Sequence, residues 1–372
     1  METISKTVFD SPEIRGRKLA NRLVVAPMTR VSATPAGVPT QEMADYYEAF
    51  AAGGFGMIIT EGTYTDELFS KANHQQPGIA NAAHMRGWKR VVAAVHRHNA
   101  LIINQLMHGG ALAETGEQTI APSAVQPIGM RSTDHSVPPS PFPTPRAMRA
   151  EDFENVKAGY VNAALLAHKA GFDGVELHAA NGYLFDQFIT PHTNLRTDEY
   201  GGDERNRLRF LMEVYEAVKA ALPVGFIVGI RISESKVNDL TYRWPGGAET
   251  ARRIFEVLAE IDPDYVHIAA EGGRWERECL YPDGRSSNSI ARSMLKSPVI
   301  ANGGMHDRAL AERLLNGNAA DLVSIGRAAI ASPDWPKLVA AGEPVVPFFK
   351  ELIKPSLTLA HTRQVREESA LC

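Results

Sequence analysis

Short apolar runs rich in Val and Ile alternate along the chain with longer segments whose apolar residues return every three or four positions. That alternation predicts repeated strand–helix units. Eight runs read as strands: Leu23–Ala26, Gly56–Ile59, Leu101–Ile103, Gly174–Leu177, Phe226–Ile232, Tyr265–Ile268, Pro298–Ala301 and Leu322–Ile325. Between them, Phe153, Val156, Tyr160, Ala164 and Ala167 share one face of a helix over Glu151–Ala170 that Gly171 stops, and a second helix spans Asp307–Leu315 before Asn316-Gly317. The stretch from Met107 to Arg149 breaks the rhythm. Its Pro138-Pro139, Pro141, Pro143 and Pro145 forbid a continuous helix or a central strand, so it reads as a proline-rich capping excursion after the third strand.

Eight parallel strands are the number a closed TIM (β/α)8 barrel needs. An open doubly wound sheet alternates in the same way, but its first strand normally ends in a Gly-x-Gly-x-x-Gly turn. Here that strand runs into Pro27-Met28-Thr29-Arg30, which removes the main support for the open reading. No repeat, low-complexity tail or linker interrupts the pattern, so residues 1–372 are expected to form a single barrel domain.

Composition narrows the classes of partner. With 44% hydrophobic residues over 372 positions a large core is assured, and 39 basic against 43 acidic residues leave no cationic excess for a nucleic-acid backbone. Cys279 and Cys372 are too few for a disulfide framework, an iron–sulfur cluster or a Cys-rich zinc site. The opening METISKTVFDSPEIRG does not pattern as a secretory signal, and no apolar run is long enough to span a bilayer. A cytoplasmic protein acting on a small molecule, without nucleic-acid or membrane partner, is the expectation; the oligomeric state is open.

Candidate chemistry sits where strands end. Thr29, Gln105, His178, Arg231, Gly303-Gly304 and Gly326-Arg327 follow or lie in six different strands and would converge at one rim of a barrel. Glycine backbone N–H groups approach phosphate oxygens closely and Arg327 offers a charged fork, so the last two turns suggest a phosphate cradle, although a single glycine pair is as often an ordinary turn. Arg231 on an inner strand is costly to bury without an electronegative partner. A metal-dependent hydrolase would want clustered His and Asp ligands on early strands, and a glycosidase two opposed carboxylates; the strand ends Pro27-Met28-Thr29 and Asn302-Gly303-Gly304 supply neither, and no metal is expected.

The segments Ala26-Pro27-Met28-Thr29-Arg30, Gln105-Leu106-Met107-His108-Gly109-Gly110, VELHAANGYLFDQFITPHTNLRTDEYGG from Val175 to Gly202, Ala301-Asn302-Gly303-Gly304 and Ser324-Ile325-Gly326-Arg327 together resemble the old yellow enzyme family, over most of the chain from Asn21 to about Leu338. The resemblance implies an ene-reductase holding FMN at the C-terminal mouth of the barrel, with NADPH or NADH as a diffusing hydride donor and ping-pong kinetics. It implies a phosphate held by Gly303, Gly304, Gly326 and Arg327, and a ring flanked by Pro27, Met28, Thr29 and Gly62. Gln105 would meet the pyrimidine edge and Arg231 the N1 side, where a fixed guanidinium stabilises the negative charge of the reduced ring. His178 and Asn181 would bind the carbonyl or nitro oxygen of the substrate, and Tyr183 would deliver a proton.

Taken singly, each of these three has a blander reading as a rim histidine, a turn and a packed aromatic; the spacing His178-x-x-Asn181-x-Tyr183 inside the longer block favours function. The family's larger members, with an iron–sulfur cluster and an added nucleotide-binding domain, are not expected from this cysteine content and chain length. Glu61, His108, His192 and Glu271 read as structural. Trp275, Tyr281, Tyr64 and Met107 are pocket-lining or packing residues in equal measure. Arg366-Glu367-Glu368 reads as a solvated chain end.

Overall fold

The computed structural model describes residues 5–115, 118–131, 139–269 and 280–370; Glu271, Trp275, Cys279 and Cys372 lie outside them. Eight strands form the barrel: β1 (Leu23–Val25), β2 (Met57–Ile59), β3 (Leu101–Met107), β4 (Gly174–Asn181), β5 (Ile227–Lys236), β6 (Val266–Ile268), β7 (Val299–Asn302) and β8 (Leu322–Ile325). Each pairs in parallel with the next, and β8 returns to β1 through Val323↔Leu23, Ser324↔Val24 and Ile325↔Val25, so the sheet closes. The architecture is the TIM barrel expected from the strand–helix alternation.

Period-two alternation sorts the side chains. Val25, Ile58, Ile102, Val175, Val228 and Val323 belong to the large cluster between sheet and helices, together with Phe50, Val91, Ala163, Leu211 and Ile254. Val24, Met57, Ile59, Ile103, Ile227, Tyr265, Ile300 and Leu322 form a second cluster inside the barrel, joined by Ile14 and Leu19. Ile14 lies in, and Leu19 just follows, an antiparallel hairpin, Glu13–Ile14 with Arg17–Lys18, that closes the N-terminal end. Arg17 Nη1 donates to Asp173 at 2.8 Å and Arg15 pairs with Asp264, both aspartates lying just before strands. With one mouth plugged, only the C-terminal mouth is left for a ligand.

The helices start where short polar side chains supply the missing acceptors. Asp307 Oδ1 accepts from Ala309 N and Leu310 N ahead of Arg308–Asn316, and Asn81 and Asp203 do the same for Ala82–His96 and Glu204–Ala221. The helix expected over Glu151–Ala170 runs from Ala150 to Ala170 and ends on Gly171 at φ +96°. The stop after Asn316 differs in detail: Gly317 keeps a negative φ, and Asn318 takes the left-handed turn at φ +53°. Among the described residues, the excursion after β3 contains only a short 3-10 turn at Gly110–Leu112 and two-residue pairings, Ile120–Ala121 with Arg146–Ala147 and Met130–Arg131 with Ser140–Pro141. No helix among the described residues is long and apolar enough to cross a membrane.

Candidate active site

Inside the barrel, above the apolar plug, the inward positions turn polar. Glu176 on β4 is fully buried and stands opposite Gln105 on β3 and Gly229 on β5. Its carboxylate accepts from Gln105 Nε2 at 2.8 Å, Tyr265 Oη at 3.1 Å and His267 Nδ1 at 3.0 Å, while His267 Nε2 lies 2.8 Å from Ser324 Oγ. Burial pushes the Glu176 carboxyl up, but His267, the Arg231 charge and the Gln105 amide together hold it below the usual carboxylate value. The barrel therefore carries a buried anion one step beneath its mouth.

One step higher, β4 and β5 place His178 directly opposite Arg231. Arg231 is 6% exposed and reaches Asn302 Oδ1 from Nη2 at 3.4 Å. Burial, then the Arg231 charge, then His267 hold the His178 imidazole well below its ordinary pKa, so it is neutral at pH 7. The strands extend further than their apolar runs: β4 continues through His178 to Asn181 and β5 to Lys236, so residues placed just past the strands by hydrophobicity lie in them. The ladder shifts register between Ala179 and Asn181, and Asn181 adopts φ +64°, a conformation asparagine tolerates better than most residues. Asn181 N donates to Ser233 Oγ at 2.7 Å, and Tyr183 caps the helix Leu184–Ile189 with its ring 5.1 Å from that of His178. Burial and the Glu114 charge push the Tyr183 hydroxyl up to about 12.

A cleft of about 530 Å³ opens at this mouth, within the range of ligand sites. Pro27, Met28, Asn181, Arg231, Gly303, Gly304, Gly326 and Arg327 line it, so the expected phosphate cradle and part of the expected ring site share one cavity. Gly303 and Gly304, at φ +101° and +73°, hold a turn that side-chain-bearing residues rarely adopt. Thr29, Gly62, Gln105, His178 and Tyr183 do not line this cleft. Gln105 is tied down to Glu176 below it, Gly62 packs against Gln105 and Met107, and His178 on β4 and Tyr183 just after it stand to the side. A Cβ on Gly62 would come within 2.4 Å of Met107 Sδ and 3.4 Å of Gln105 Oε1, so a larger residue there would have to push the Met107 side chain aside.

The site also contains parts that motif reading passed over. Glu176, Tyr265, His267 and Ser324 make its floor; the usable signal was an ionisable residue in the middle of each of two apolar runs. Val345, Val346, Pro347 and Phe348 close the far wall, with the Arg327 guanidinium 5.6 Å from the Phe348 ring. Of the residues read as structural, Glu61 accepts from Arg30 N and Val31 N, and His108 Nδ1 accepts from Gly110 N at 3.1 Å. Tyr281 donates to Glu234 and Tyr64 packs on His84, neither lining the cleft.

A plugged barrel whose open mouth carries a glycine-lined, arginine-bearing cleft over a polar floor is suited to a ligand with a phosphate. The model of the NADH:flavin oxidoreductase / NADH oxidase family matches residues 8–345, and the chain belongs to that family, which includes the old yellow enzymes. It is 35% identical over 347 residues to a probable flavin mononucleotide-dependent alkene reductase of Leishmania infantum, covering 89% of this chain and 90% of the relative. Among solved structures, morphinone reductase in complex with tetrahydroNAD superposes with a TM-score of 0.81 at 32% identity, over 91% of this chain and 92% of that one. The old yellow enzyme homologue from Zymomonas mobilis gives 0.81 at 31% identity, over 92% and 94%. The chain is thus an FMN-dependent oxidoreductase supplied with hydride by a reduced nicotinamide.

Proposed function

We propose that this protein reduces the carbon–carbon double bond of α,β-unsaturated carbonyl or nitro compounds, working as one barrel domain in the cytoplasm with NADPH or NADH as a diffusing donor. The observation that carries the reading is a pair of unmet polar atoms at the mouth. His178 Nδ1 and the Asn181 amide, whose Oδ1 lacks a partner and can exchange places with its NH2 by a flip, are buried polar groups unmet among the described residues, three positions apart and beside Tyr183. Buried polar groups left unmet cost stability and persist where a ligand completes them.

The cleft fits FMN. Its glycine turn and Arg327 suit a phosphate, and Pro27 and Met28 on its wall would flank a flat ring, with Thr29, Gly62 and Gln105 as further candidate contacts. Arg231 would face the N1 side of that ring and Gly326 its ribityl phosphate end. FMN held there would supply the chemistry the side chains lack, a two-electron carrier between the nicotinamide and the substrate β-carbon.

The side chains do the rest. His178 through its ring N–H and Asn181 through its Nδ2 amide donate to the substrate oxygen and stabilise the negative charge that grows there as the β-carbon receives hydride. A neutral imidazole serves this role without the cost of burying a second cation beside Arg231. Tyr183, protonated throughout the neutral range, donates its hydroxyl proton to the α-carbon and regains one from solvent.

Anaerobic half-reaction kinetics test the assignment. Tyr183→Phe is expected to leave flavin bleaching by NADPH or NADH nearly unchanged while slowing reoxidation by a cyclic enone by about 10²-fold. Equal loss in both steps would remove Tyr183 from proton delivery.

A further inference from the structure

Gln105 is the one candidate ring contact whose amide orientation the barrel itself dictates. Its Nε2 donates to Glu176 Oε1 at 2.8 Å, and a carboxylate can only accept from it. The opposite end of the amide, Oε1, lies toward Gly62, 3.4 Å from where a Cβ on that residue would sit. Glu176 is held in turn by Tyr265 Oη and His267 Nδ1, both donors and both buried. Three donors converge on this carboxylate, which leaves it no competing role.

We propose that Glu176 is a positioning residue for the cofactor: it locks the Gln105 amide with its oxygen outward, so the barrel presents a hydrogen-bond acceptor to the imide N–H of the flavin pyrimidine edge. Without the carboxylate, the amide can turn over and present its NH2 group, a donor, to an edge whose central group is itself a donor. Glu176 touches no cofactor atom; it acts through Gln105. The inference rests on the reading of Gln105 as a ring contact, and the test separates the two.

The experiment is a double-mutant cycle on FMN affinity, read by quenching of flavin fluorescence as FMN is added back to stripped protein. Gln105→Ala is expected to weaken FMN by roughly tenfold by removing one well-aligned hydrogen bond, and Glu176→Gln by up to a similar factor, because its amide can face Gln105 with either an oxygen or an NH2 and no longer fixes which end points outward. The double variant should bind no more weakly than Gln105→Ala alone, because Glu176 has nothing left to orient. If the two losses multiply, Glu176 only supports the barrel and the proposal fails while the Gln105 reading stands; if Gln105→Ala binds FMN normally, both fall. Should Glu176→Gln not fold, nuclear magnetic resonance of the native holoprotein decides. Gln105 side-chain NH2 protons showing contacts to Tyr265 and His267 support the lock, and contacts to the flavin imide proton overturn it.

Discussion

His178 and Arg231 face each other across β4 and β5, one rung of the ladder setting an imidazole beside a guanidinium in a buried mouth. That pairing is a design for neutrality. Burial comes first and the Arg231 charge second among the causes that hold His178 well below its ordinary 6.5, so the imidazole keeps a single ring proton at pH 7.

Titration of His178 by heteronuclear magnetic resonance in FMN-free protein is expected to show no protonation near pH 6.5. In Arg231→Met the midpoint should move upward, because the neighbouring cation is gone while burial remains. An unchanged midpoint in the variant would mean that burial alone sets the charge state. Enone reoxidation in the parent should correspondingly show no inflection from this group between pH 6 and 8.

Gly229 and Tyr265 form a second tight relationship. The Tyr265 ring reaches Glu176 by crossing the place where a side chain on Gly229 would sit, and a Cβ there would lie 2.1 Å from Tyr265 Cζ. Gly229→Ala is therefore expected to lower unfolding free energy by about 1–3 kcal/mol in urea denaturation. Gly202→Ala, at φ +92° with nothing within 4 Å, should cost only the backbone strain, about 1 kcal/mol. Equal losses in the two variants would show that the ring moves aside freely.

The strands were legible because each is covered on both faces, so Val, Ile and Leu mark them without interruption. Their C-terminal ends were not, because β4 carries on through His178 to Asn181 and β5 past Ile232 to Lys236, held by ladder hydrogen bonds and not by apolarity. The mouth residues could be read from their order along the chain. The floor could not: Glu176 and His267 lie inside apolar runs, and only the closed barrel brings them within 3.0 Å of each other. The last helix, Leu359–Ala370, escaped for a related reason. Its apolar content is low, and it is held by polar contacts from a residue far away in sequence.

That residue is Arg30. Its side chain is fully buried, with Nε donating to Leu357 O at 2.9 Å, Nη2 to Thr358 O at 3.2 Å and to Thr362, and the guanidinium 5.0 Å from the Tyr46 ring. Arg366, read from sequence as part of a solvated end, also donates back to Ile330 O. The C-terminal helix is thus clamped to the loop after β1 by a charged donor, and cutting that donor removes three hydrogen bonds and leaves Leu357 O without its donor, while Thr358 O keeps Thr362 N. Arg30→Met is expected to lose about 2–4 kcal/mol of stability and to speed amide exchange over residues 359–370. Arg363→Ala, which breaks an exposed pair with Glu42, should change stability by less than about 1 kcal/mol. Slow exchange in Arg30→Met would mean the helix is held by apolar packing.

Beneath the same loop, Glu61 takes the backbone N–H of Arg30 at 2.9 Å and of Val31 at 3.2 Å, with Tyr47 Oη 3.3 Å away. Burial is the largest influence on its carboxyl and raises it from 4.5 to about 7, against the pull of those N–H groups and the Arg30 charge. Folded protein therefore keeps a proton there that the unfolded chain releases near pH 4.5. This contribution to stability is full below about pH 4.5 and is lost as pH rises through about 7, on the order of 3 kcal/mol in all. Chemical denaturation across pH 5 to 8 should show the parent weakening with rising pH over this window by more than Glu61→Gln, in which the side chain stays neutral and still accepts from both N–H groups. Parallel pH profiles in parent and variant would show that the three donors outweigh burial and that Glu61 is ionised throughout. Because Thr29 immediately precedes the clamped Arg30, the same window should also bring a change in FMN affinity in the parent that Glu61→Gln lacks.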